Sequence, residues 1–300
     1  MDGSGRAIPN LSASDFAVTI EGTTAKIDTV EWVPADAATV QNESTFQRQS
    51  SPAPTATNDR WIVFLYQKHP DLSDVEGFMR LSREMDNLTK VVGQHDHVAV
   101  LSFDTSLHYW LDFTNDTQRV RQVMTHDLLV AAPPAVGVDV FPALTARLSP
   151  ETAAKTYSIE QSLRLLGTSL EALPGPKTIV VFGYGMGTWL RRFGIVLMDR
   201  DFVEMLTSLE RARVSVFCVD ITKAEYHPRE EGLRVVADET GGFYIQSYSA
   251  PVFDRLEGAL AGYYVLFVVP PDASTGERRI DVKVKRRRVT VIAKHTYLAQ

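Results

Sequence analysis

"TIVVFGYGMGTWLRRF", residues 178–193, runs from five apolar or β-branched residues into glycines at 183, 185 and 187, then into a basic stretch that could be helical. Two readings compete. One is a phosphate-cradling loop at a helix N-terminus; the other is a tight turn at the end of a buried strand. A dinucleotide loop needs G-x-G-x-x-G and an acid about 20 residues further on. Here the spacing is G-x-G-x-G, and the next acid that ends a strand-like run is Asp220, 33 residues beyond Gly187. There is no G-x-x-x-x-G-K-[ST] in the chain. Glycines serving a tight turn and close backbone packing account better for the stretch.

Outward from this stretch, "WIVFLY" (61–66), "HVAVLSF" (97–103), "KTIVVF" (177–182) and "VSVFCVD" (214–220) are near-continuous apolar runs, as strands buried on both faces should be. Amphipathic stretches lie between them. Val75, Phe78, Leu81, Met85, Leu88 and Val92 recur at helical spacing, with Ser73 and Glu76 as a capping-box pair at the start. Further helices are expected within 116–130, 151–172, 199–212, 228–240 and 251–262. Alternating strands and helices predict an α/β fold, a mostly parallel sheet with helices on both faces. Both ends of the chain change to β-pattern: "DFAVTIEGTTAKIDTVEWV" (15–33) around a Glu21-Gly22 turn, and "YYVLFVVP" (263–270) with "RIDVKVKRRRVTVIAKHTYL" (279–298). We expect the N- and C-terminal strands to meet in one small β-domain. The domain reading is 1–35 for the first β-strands, 36–59 for a Pro/Ser/Thr-rich linker, 60–250 for the α/β domain, and 251–300 for a helix and the closing strands.

The net charge of −6 argues against a general nucleic-acid binder. No segment approaches the ~20 apolar residues of a membrane helix, and no secretory signal is legible. With a single cysteine, Cys218, neither an internal disulfide nor a thiolate zinc site can form. His95 and His97 of "HDH" could supply two metal ligands but lack an identifiable third. The remaining histidines show no H-E-x-x-H or comparable spacing, and no G-x-S-x-G elbow provides a serine nucleophile. No catalytic residue is expected, and the chain reads as non-enzymatic. The basic run "KVKRRR" (283–288) suits a solvated sheet face, or else an acidic partner surface.

Four stretches together resemble the von Willebrand factor A-related proteins typical of acidobacteria: "LSASDFAVTIEGTTAKI" (11–27), "DFTNDTQRV" (112–120), "LRVVADETGGFY" (233–244) and "LAGYYVLFVVPPDASTGERRIDVKVKRRRVTVIAKHTYL" (260–298). The resemblance implies a Rossmann-like A-domain whose usual task is protein binding or adhesion, exported to the periplasm or cell surface. In the family at large a divalent cation sits above the sheet, held by an Asp-x-Ser-x-Ser motif, a threonine and a Thr-Asp-Gly motif. Aligned on "IVFLYQKHPD" and "KTIVVFGYGMG", this chain has Gln67, His69 and Asp71 in the first motif, and Gly183, Tyr184 and Gly185 in the last. Thr156 is the candidate threonine. Two anionic ligands are thus missing, and Mg²⁺ gives up its water reluctantly. The resemblance therefore implies a degenerate site without metal or other cofactor. Gln67, His69, Asp71, Ser73, Thr156, Tyr184 and Gly185 are then expected to line a surface for a protein partner, with an exposed Tyr184 as its anchor. Alternatives are a nucleotide-binding enzyme using Gly183–Gly187, or a vestigial domain acting in structure or homo-oligomer formation.

Overall fold

The structure is a computed structural model that describes residues 1–35, 59–68, 72–84, 87, 91–93, 96–130, 132–134, 143–190, 192–223, 226–248, 252–272 and 275–299. The chain opens with the hairpin β1 (Phe16–Ile20) and β2 (Thr23–Pro34). Glu21 and Gly22 both have positive φ, 49° and 78°. A two-residue turn of that kind matches the right-handed twist of the strands it joins.

Six strands then build the main sheet: β3 (Arg60–Gln67), β4 (Asp96–Phe103), β5 (Leu107–Thr114), β6 (Lys177–Gly183), and, beyond the hairpin β7 (Thr188–Leu190) and β8 (Ile195–Leu197), β9 (Val214–Asp220) and β10 (Tyr244–Gln246). Their spatial order is β10-β9-β6-β3-β4-β5. Every neighbouring pair is parallel except β4 with β5. Counted within the sheet this is the order 3-2-1-4-5-6 of doubly wound nucleotide folds, with its third strand reversed. The mostly parallel α/β sheet is thus present.

The continuous apolar runs follow from burial on both faces. Trp61, Val63 and Leu65 of β3 point into one core, with Leu163, Leu166, Met205, Leu209, Leu233 and Val236 of the helices Ile159–Leu170, Phe202–Arg211 and Glu230–Glu239. Ile62, Phe64 and Tyr66 point into the other, with Phe78, Leu81, Val120, Val252 and Phe253 of the helices Leu72–Arg83, Thr117–Gln122 and Val252–Leu260. Fully burying one such side chain is worth about 1.5–3 kcal/mol, so these two layers dominate the stability of the fold.

Two expected helices differ in extent. The first ends at Arg83, short of the expected Val92. The stretch 151–172 divides into Pro150–Ala153 and Ile159–Leu170, because Ser158 is extended and caps the second helix by accepting from the Gln161 N–H at 3.1 Å. The periodicity carries no mark of that interruption. The strand β5 is additional to the expected strands.

The terminal strands form a five-stranded antiparallel sheet, order β11-β2-β1-β12-β13, in which β11 is Gly262–Val269, β12 Gly276–Val284 and β13 Thr296–Ala299. Val18 pairs with Val282 and Ile20 with Ile280. One face gathers Val18, Ile20, Ala25, Leu266, Val268 and Ile280 into a third, smaller core. The basic run is partly paired within this sheet: Lys283 meets Asp281 at 2.9 Å and Arg286 meets Asp15 at 2.8 Å. The expected linker falls, apart from Asp59, outside the described residues.

Candidate functional site at the carboxyl ends of the sheet

In open α/β sheets ligands enter at the carboxyl ends of the strands, where the strand order reverses. Here that point lies between β3 and β6, and Gln67 ends β3. Its side chain is buried and faces the glycine loop. Nε2 donates to the Gly185 carbonyl at 3.0 Å, and Oε1 accepts from the Tyr184 N–H at 3.1 Å. An amide can do both, whereas a carboxylate cannot donate to the carbonyl. A Cβ on Gly183 would stand 2.6 Å from Gln67 Oε1. The crevice is closed by the protein's own backbone and one amide.

The glycine loop also turns inward. Gly185 has φ +127°, and a Cβ there would meet Arg229 Cβ at 2.4 Å. At Gly187, φ +73°, a Cβ would meet Val196 Cγ1 at 2.7 Å. The Gly187 N–H donates to Glu160 Oε1 at 2.7 Å. Burial pushes the Glu160 carboxyl above the ordinary range, against that hydrogen bond. The loop leads into the hairpin β7–β8 and not into a helix N-terminus, so the arrangement that gathers phosphate on a helix end is not formed by these glycines. The basic stretch that could be helical is in part strand β7.

The expected surface is corrected here. Tyr184 is only 6% exposed, with the Arg229 guanidinium 4.8 Å from its ring centre, so it is no exposed anchor. Thr156 is buried as well: its Oγ1 accepts from the Leu107 N–H and donates to the Ala153 carbonyl, both at 2.8 Å, tying the start of β5 to a turn. Gln67, Tyr184 and Gly185 do come together, but as internal packing. His69 and Asp71, and the side chain of Ser73, lie outside the described residues. So does His95, while His97 stacks on Trp61 at 4.4 Å. Cys218 is buried, and burial raises its thiol well above the ordinary range.

Among the described residues, this end of the sheet exposes the hairpin. Phe193, Ile195 and Leu197 are 68%, 53% and 59% exposed. Val196, alternate to Ile195 and Leu197, faces Gly187. The outward face of β8 is therefore apolar.

One strand further along, a polar cluster occupies the ends of β9 and β10. Asp220 Oδ2 accepts from His227 Nε2 at 2.9 Å and from the Tyr244 hydroxyl at 2.6 Å; Oδ1 accepts from the Thr222 N–H and hydroxyl at 2.9 and 2.8 Å. Burial alone would raise this carboxyl, but the hydrogen bonds from His227, Tyr244 and Thr222 outweigh it and hold it below the usual carboxylate range. Burial and the neighbouring Asp220 push the Tyr244 hydroxyl upward. Glu230, at the start of its helix, pairs through Oε1 with Arg234 at 3.0 Å. Sequence inspection missed this group. The signal was His227-x-x-Glu230, in "HPRE" seven residues after Asp220. It is invisible to a search for helical H-E-x-x-H because His227 precedes the helix.

No family model matches this chain, and no protein of curated function matches it in sequence. Among solved structures it is similar to an aerotolerance-related membrane protein from Bacteroides fragilis, with 14% identity over 66% of this chain and 98% of the other and a TM-score of 0.44. The vWF domain of the type V pili tip protein Mfa5 from Porphyromonas gingivalis is 10% identical over 67% of this chain and 94% of the other, TM-score 0.39. A D319A mutant of the PilB minor pilin from Streptococcus sanguinis is 13% identical over 67% of this chain, TM-score 0.39, and this chain spans 59% of its length.

Proposed function

We propose that this chain is a non-enzymatic protein-binding module of the von Willebrand factor A type, of the adhesion class, working outside the cytoplasm. Its switch point is degenerate and needs no metal. The observation that carries the reading is the closure of that crevice by Gln67, whose donor and acceptor are both engaged by the loop backbone. With the crevice filled, an accessible apolar feature at this end, among the described residues, is the outward face of β8. Apolar side chains standing together on a protruding hairpin are what a partner's groove can bury. The sheet of terminal strands would form a separate β-domain, 1–35 with 251–300, beside an α/β domain of 60–250.

The test is binding to immobilised envelope and matrix proteins, comparing the native chain with Ile195→Glu/Leu197→Glu. Loss of binding with an unchanged unfolding midpoint supports the hairpin as the docking face; undiminished binding moves the interface elsewhere. Light scattering on the same pair decides whether the face serves a second copy of the chain. Saturable binding of NAD or ATP would favour the enzyme reading instead.

A further inference from the structure

We propose that Asp220, His227 and Glu230 form a zinc site, independent of the docking reading above. One ligand atom from each lies within 4.8 Å of the others. They arrive from three local settings: the end of β9, the loop after it, and the first residue of the helix Glu230–Glu239.

Three observations favour a cation over a self-contained hydrogen-bond network. Glu230 is buried, its side chain 4% exposed, and among the described residues its Oε2 has only long contacts, 3.3 Å to the Tyr244 hydroxyl and 3.4 Å to the His227 N–H. Such a carboxylate oxygen is under-satisfied for its burial. Next, Arg234 engages Glu230 through Oε1, which leaves Oε2 toward the cluster. Finally, the His227 side chain keeps 15% of its surface, which puts the cluster at the solvent edge and not in the closed core.

The donor set then selects the metal. One imidazole nitrogen with two carboxylate oxygens suits zinc, whereas Mg²⁺ prefers oxygen alone and keeps its waters. A zinc ion about 2.0–2.2 Å from each ligand sets tetrahedral ligands roughly 3.4 Å apart. His227 Nε2 and Asp220 Oδ2, now 2.9 Å apart, need to separate by only about half an ångström. The Nε2 hydrogen leaves and the ring carries its one proton on Nδ1, kept there or taken up from solvent, so that the neutral imidazole offers its Nε2 lone pair to the metal. The Tyr244 hydroxyl or a water completes the fourth position. Such an ion would staple β9 to the helix that follows it.

The experiment is calorimetric titration of the EDTA-treated, dialysed full chain with ZnCl₂, repeated with MgCl₂, together with unfolding midpoints. Saturable zinc binding at one equivalent, a midpoint raised by several degrees, and no response to Mg²⁺ are expected. His227→Ala, at the solvent edge of the cluster, should weaken zinc binding at least tenfold, and His295→Ala, an exposed histidine elsewhere, should not. Tyr244→Phe keeps the three ligands and should retain binding. No zinc binding by the native chain overturns the proposal. So does binding that His227→Ala leaves intact, which would mark ions gathered adventitiously on the surface.

Discussion

At the ends of β3 and β6 a neutral amide meets backbone groups, and every polar atom named there finds a short partner inside the protein. At the ends of β9 and β10, two carboxylates, an imidazole, a phenol and a guanidinium meet, and among the described residues one carboxylate oxygen has long contacts only. The two clefts lie on neighbouring strands, joined by the Ile221 N–H donating to the Gly183 carbonyl at 2.9 Å. Sequence shapes both by the same rule, that buried polar groups must be paired. Where the pairing is neutral and complete the crevice is sealed; where it is charged, a buried carboxylate oxygen is held by long contacts.

Asp220→Ala, studied in EDTA, should have the largest effect. Removing the acceptor of four hydrogen bonds inside a buried charged network should cost about 3–5 kcal/mol in denaturant unfolding. A loss below about 1 kcal/mol would erase the contrast between the clefts. Gln67→Leu comes next: it removes the partner of the Tyr184 N–H and of the Gly185 carbonyl, at about 1–2 kcal/mol for each of these neutral groups, so roughly 2–4 kcal/mol is expected by the same measurement. Gly185→Ala should cost about 1–3 kcal/mol, since it forces a side chain into a positive φ and against Arg229. A neutral outcome there would mean that the loop can turn outward, and would reopen the phosphate reading.

The smallest effects are those of pH, and they carry opposite signs. The folded Asp220 carboxyl lies below its unfolded value of about 3.9. Its contribution is therefore fully present above that value and is lost as pH falls through the folded one. Stability of the native chain should drop as pH falls below about 4, and less steeply in Asp220→Asn. Glu160 is raised by burial, so the folded state holds its proton longer than the unfolded one does. Its contribution falls as pH rises from about 4.3 through the folded value. Glu160→Gln keeps an acceptor for the Gly187 N–H and should be neutral or stabilising by under about 1 kcal/mol at pH 7. An unfolding series across pH reads both signs at once.

How much of this was legible depended on what each residue had to satisfy. The strands β3, β4, β6 and β9 could be read because a parallel sheet covered on both faces demands unbroken apolar runs, and "WIVFLY" and "KTIVVF" supply them. β5 was not, since "LHYWLDFT" mixes His108 and Asp112 into an edge strand that neither pattern covers. The glycines were legible as turn glycines from their spacing. That Gln67 seals the crevice was not, because an isolated glutamine at a strand end carries no mark of where its amide will reach.

The sequence by itself determined the α/β class, the hairpin at Glu21-Gly22 and the turn role of Gly185 and Gly187, because periodicity and glycine geometry are properties of neighbouring residues along the chain. Only the tertiary structure decided that Tyr184 and Thr156 are buried, and that His227 and Tyr244 close on Asp220 from positions 7 and 24 residues later. Hydrophobic pattern tells each residue which face it occupies. Which distant residue it will meet there is fixed by strand order and register, and these are settled only when the sheet assembles.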